Sequence, residues 1–122
     1  MPIVKVWGLT ETAVWTRVLT GTIREGLAQA IAGVEPLEIR ADQVTVIFPK
    51  SETAISDVIV EIGRLFPRPR RTAAVKAQLA ATVCAFLKSE LLSRGNEKDQ
   101  QRKIEVFVDE FSPDNGYYSS DE

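Results

Sequence analysis

Histidine is absent from the 122-residue chain, and cysteine occurs once, as Cys84. The first absence removes the commonest general base and the commonest metal ligand. The second excludes an internal disulfide, and the two together exclude a Ser-His or Cys-His nucleophile. Cys84 stands among Ala, Val, Phe and Leu in a helical pattern and reads as a small buried hydrophobe. No acid-rich loop carries the spacing of a hard-cation site, so neither a metal nor a cofactor is expected. No apolar run approaches the roughly 18 residues of a membrane span. The first residues show no basic region followed by an apolar stretch, which makes the cytoplasm the expected location. A net charge of −2 offers no general attraction for nucleic acid, and from Asp109 onward there are five acids and no Lys or Arg.

What remains is one domain's worth of chain with 44% hydrophobic residues, enough for a small core. Ile3 to Trp7 is a short, mostly apolar run stopped by Gly8, as a strand is. Thr10 or Thr12 can cap a helix over 13–32, where Trp15, Leu19, Ile23, Leu27 and Ile31 recur four apart. Val14, Val18 and Val34 widen that stripe, and Gly33 ends it. A turn containing Pro36 leads to a second strand, Val44 to Phe48, which Pro49 closes. After a polar connector, Asp57 to Gly63 repeats the first strand with its glycine. Thr72 to Leu92 repeats the helix through Val75, Leu79, Val83, Leu87 and Leu91, and Ile104 to Val108 is a fourth strand. Ser112 to Gly116 forms a turn before a polar tail.

Two pseudo-repeats, 1–49 and 57–111, therefore make one domain, with an acidic tail over 112–122. The helix stripes and second strands are displaced by 60 positions, the first strands by 55 if Gly63 corresponds to Gly8. On that count about five extra residues fall in the arginine-rich segment Gly63 to Arg71. Tandem β-α-β units with right-handed crossovers predict an α+β fold, a four-stranded sheet with two helices on one face. The other face needs cover, so an oligomer is expected.

Met1-Pro2 precedes the first strand, and removal of Met1 would expose Pro2 as a secondary amine, both basic and nucleophilic. A Met-Pro start on a strand, tandem units of about 60 residues and a sheet needing partners resemble the tautomerase superfamily over almost the whole chain. Arg68 to Ala80 (RPRRTAAVKAQLA) is similar to the loop and helix start of its cis-3-chloroacrylic acid dehalogenase branch. That resemblance implies a homotrimer, no cofactor, Pro2 as the reactive group, and a substrate carboxylate held by Arg68 and Arg71. Guanidinium forks match carboxylates in bidentate fashion. Arg64 and Arg70 then raise the local field, and Trp7 and Phe107 are candidates for an apolar pocket wall.

The departures narrow the chemistry. A tyrosine of the dehalogenase branch falls on Phe107, and its helper histidine has no counterpart, leaving Asp114 or a neighbour as the acid. Thr45 and Glu105 stand where short tautomerases carry an arginine. Dehalogenation, hydration and decarboxylation are accordingly ranked below keto-enol tautomerisation of a small enol or unsaturated carboxylate. An α-amine titrates near roughly 8 in water, and burial and nearby arginines disfavour its cation, so a neutral Pro2 would act as base, and a protonated one as acid. The other readings are a non-catalytic ferredoxin-like binding module and an inactive tautomerase-fold protein. An RNA-binding version lacks exposed aromatics among basic residues on the middle strands.

Overall fold

The computed structural model describes residues 2–9, 15–50 and 57–110, with Gly116 and Ser120. Four strands form one mixed sheet: β1 (Ile3–Trp7), β2 (Thr45–Ile47), β3 (Val58–Leu65) and β4 (Ile104–Glu110). Their order is β2-β1-β3-β4. The outer pairs are parallel and the central pair β1·β3 is antiparallel. Helices α1 (Arg17–Ala32) and α2 (Ala73–Arg94) supply the crossovers, and a short α3 (Glu97–Gln100) follows α2. The α+β class and the four-stranded sheet with both helices on one face are as the repeat predicts.

Alternation decides which face is which. Val4 and Val6 of β1, Val46 of β2, and Val58, Val60 and Ile62 of β3 are buried, and they meet Ile23, Leu27 and Ile31 of α1 and Leu79, Val83, Leu87 and Leu91 of α2. Among the described residues no element covers the opposite face. It carries Ile3, Trp7, Ile47, Ile59 and Phe107, but also Lys5 opposite Glu61, and Thr45, Glu105 and Asp109. It is thus a mixed surface, not the nearly continuous apolar one that the strand compositions imply.

Several local expectations change. The cap of α1 is Thr16, whose hydroxyl accepts from the Leu19 N–H at 3.3 Å; Thr10, Thr12 and Val14 lie outside the described residues. Val18 is 78% exposed, because it falls on the side of α1 away from Ile23 and Leu27. Between α1 and β2 the chain makes two 3-10 turns, Glu35–Leu37 and Ala41–Gln43, the first with Pro36 in its opening positions.

The register corrects the repeat. In β1·β3 the pairs Ile3↔Gly63, Lys5↔Glu61 and Trp7↔Ile59 are symmetric about Lys5 and Glu61. That two-fold requires a displacement of 56, which keeps each residue on its own face; a displacement of 55 would put Val4 on the outward-facing Ile59. It places Gly8 on Arg64 and Leu9 on Leu65. Both strands break their alternation at that point, with Leu9 and Leu65 buried and Gly8 and Arg64 at φ of 94° and 60°. Gly63 therefore does not end its strand, which continues through a bulge to Leu65.

The helix caps Thr16 and Thr72 are also 56 apart and make the same hydroxyl contact, Thr72 with the Val75 N–H. The second strands remain 60 apart, Ile3↔Thr45 matching Ile59↔Glu105. The four extra residues of the second unit consequently lie beyond the cap, where α2 has 22 residues against 16 in α1. The arginine segment is no insertion.

Candidate active site

One cavity of about 140 Å3 opens where β1 begins and β3 ends. Pro2, Glu38, Ile39, Gln43, Arg64, Leu65, Phe66, Arg68 and Arg71 line it. Pro2 is buried, and its carbonyl accepts from the Thr45 N–H at 3.1 Å, so the parallel ladder with β2 fixes the residue at the cavity wall. Leu65 and Ile39 supply an apolar floor.

The bulge after Ile62 turns the backbone so that Arg64 takes a left-handed conformation that residues with a Cβ rarely adopt. Beyond it the chain turns at Pro69 and Arg70, closed by the Arg71 N–H donating to the Arg68 carbonyl at 2.9 Å. Arg71 then folds back over this segment. Its Nε and Nη2 donate to the Leu37 carbonyl at 3.1 and 2.7 Å, and its Nη1 donates to the Phe66 carbonyl at 2.6 Å. Burial first, and then the Arg68 cation, lower the Arg71 pKa from its ordinary value, against the opposing pull of Glu38 and Glu110.

Glu38 is the only acid on this wall among the described residues, and it too has a left-handed backbone, at φ of 56°. Its carboxylate accepts from Arg70 Nη1 at 3.2 Å on the exposed rim. Two non-glycine residues in left-handed backbone thus meet at one cavity. Three guanidiniums against one carboxylate, itself shared with Arg70, leave a surplus of positive charge suited to an anion.

The related end of the sheet is built differently. There Arg102 Nη2 donates to the Gly8 carbonyl at 2.9 Å and the Asp57 carbonyl at 3.3 Å, beside the buried Asp99.

The residues expected at the site separate into groups. Pro2, Arg64, Arg68 and Arg71 share the cavity, while Arg70 turns to Glu38 outside it. Trp7 stands at the far end of β1, roughly 16 Å along the strand. Its indole N–H donates to Glu61 Oε1 at 2.7 Å on the uncovered face. Phe107, 54% exposed, lines a second cavity of about 260 Å3 with Ile3, Lys5, Glu61 and Gly63, which adjoins the first through Arg64. Asp114 lies outside the described residues. Glu38 and Gln43 were not expected: they come from the 3-10 turns, and a Glu in left-handed backbone has no residue-type signal of the kind Gly or Asn gives.

No protein-family model and no curated protein matches the chain. Solved structures do. A fused 4-OT, described as an asymmetric trimer, superposes with a TM-score of 0.67 at 14% identity, over 98% of this chain and 94% of that one. 5-Carboxymethyl-2-hydroxymuconate delta-isomerase gives 0.66 at 17%, over 98% and 87%. Malonate semialdehyde decarboxylase gives 0.62 at 13%, over 98% and 92%. These are tautomerase-superfamily structures, and the chain has their fold.

Proposed function

We propose that the protein is a cofactor-independent tautomerase or isomerase acting on a small enol or unsaturated carboxylate. Pro2, freed of Met1, is its general base, and arginine side chains hold the carboxylate. The observation that supports this most is the shared cavity: a buried Pro2 at the head of β1 faces guanidiniums delivered by a separate strand and loop.

The chemistry follows from placing an amine there. Burial of Pro2 and the nearby guanidiniums both penalise protonated nitrogen, which favours the neutral base at pH 7. With phenylenolpyruvate, the arginines fix the carboxylate and Pro2 nitrogen accepts the enol O–H proton. As the C–O bond becomes a carbonyl, the same nitrogen returns that proton to C3, giving the ketone with no net change in the enzyme. The test is ketonisation of phenylenolpyruvate by the Met-free protein. In that assay Arg68→Ala raises KM about tenfold, the scale of one charge-assisted contact. It also moves the acid limb of kcat/KM to higher pH, because losing a cation makes protonation of Pro2 easier. An unchanged limb and unchanged KM contradict the reading.

The uncovered sheet face, with Ile3, Ile47, Trp7, Ile59 and Phe107 between its charged residues, is the surface for assembly. Fused 4-OT structures are trimers, both asymmetric and symmetric. Sedimentation is expected to give three chains per particle, and a stable monomer at micromolar concentration contradicts it.

A further inference from the structure

We propose that the carboxylate-binding pair is Arg64 with Arg68, and that Arg71 is a strut that holds their loop in place. This deepens the reading above and rests on it.

Donor accounting carries the assignment. Arg71 already commits three of its five N–H donors, one on each of Nε, Nη1 and Nη2, to the Leu37 and Phe66 carbonyls, tying the arginine loop to the first 3-10 turn. Turning it toward a ligand would leave two carbonyls without that donor. Arg64 and Arg68 line the same cavity, and among the described residues neither guanidinium makes a hydrogen bond or ion pair. They are the cavity's cations with every N–H donor uncommitted among the described residues.

The backbone gives an independent argument. The internal two-fold places Arg64 on Gly8, and both have positive φ. The fold therefore asks for glycine at this position, and glycine stands in the first unit. In the second unit a long cationic side chain is kept despite the strain, at a bulge that aims it into the Pro2 cavity. Packing does not explain it, since Arg64 is exposed.

Calorimetry with 3-phenylpropionate, and with its neutral amide as control, tests this on Met-free protein without relying on turnover. Arg64→Asn is the informative variant, because Asn tolerates left-handed backbone. It is expected to weaken acid binding at least about tenfold, leave the amide unchanged, and keep Tm equal or a few degrees higher. In turnover it raises KM for phenylenolpyruvate more than it lowers kcat. Arg68→Gln behaves alike in binding, whereas Arg71→Lys lowers Tm by several degrees and changes acid affinity less than about threefold. Wild-type acid affinity in Arg64→Asn, a larger loss in Arg71→Lys than in Arg64→Asn, or no acid binding by the wild type overturns the assignment. Full turnover by Pro2→Ala overturns the general-base reading instead and leaves the binding comparison standing.

Discussion

Pro2→Ala is expected to lower kcat/KM for phenylenolpyruvate ketonisation at least about a hundredfold, the usual scale for losing a positioned general base. That corresponds to about 2.7 kcal/mol of transition-state stabilisation. The fold has little reason to change. Alanine keeps the carbonyl that accepts from Thr45 N–H, and the residue makes no side-chain hydrogen bond. What alters is the base itself: a ring-fixed secondary amine becomes a primary amine that rotates and is better hydrated. Thermal unfolding within about 2 °C of wild type would separate this loss from misfolding. Equal activity in the two proteins would remove Pro2 from the mechanism.

The second large effect is structural. Gly8→Ala is expected to destabilise the protein by about 2–4 kcal/mol, combining the cost of left-handed backbone with a close approach. A Cβ at Gly8 would lie 2.5 Å from the Asp57 carbonyl oxygen and 2.6 Å from Arg102 Nη2. The carbonyl cannot swing away cheaply, because Asp57 leads directly into β3 and also accepts from Arg102. Thermal unfolding should fall by roughly 10 °C for a chain of this size. An unchanged Tm would mean that a side chain costs little in left-handed backbone at Gly8, and that glycine is not the residue the fold prefers at the equivalent position 64.

The elements of the sheet were legible because burial writes itself into alternation. β1 occupies the five residues the apolar run marks, and β4 starts at the residue expected. The helix stripes were equally plain, yet their regularity concealed the register. Apolar residues four apart look the same at a displacement of 56 as at 60, so Trp15 could be set against Val75 although the caps equate Thr16 with Thr72. Only strand pairing, which flips every side chain on a one-residue slip, resolves the two. Gly63 misled for a related reason: a glycine after an apolar run reads as a stop, but here it precedes a bulge.

Within the candidate site, Pro2 and the arginine segment could be picked out as residue types with a chemistry. Their division of labour could not. Whether a guanidinium is available depends on carbonyls distant in sequence, Leu37 for Arg71, and on the backbone angle at Arg64. Neither leaves a mark in composition. Glu38 entered the cavity in the same way, from a turn whose shape only the packed structure defines.

Whether Pro2 carries a titratable amine in the field of these arginines is decided by a 15N NMR titration of protein labelled at proline. One proline nitrogen is expected to titrate, with a midpoint below the roughly 8 of an unperturbed α-amine. A Pro2 nitrogen that shows no titration, as an amide would behave, or one that holds its proton above that value, contradicts it.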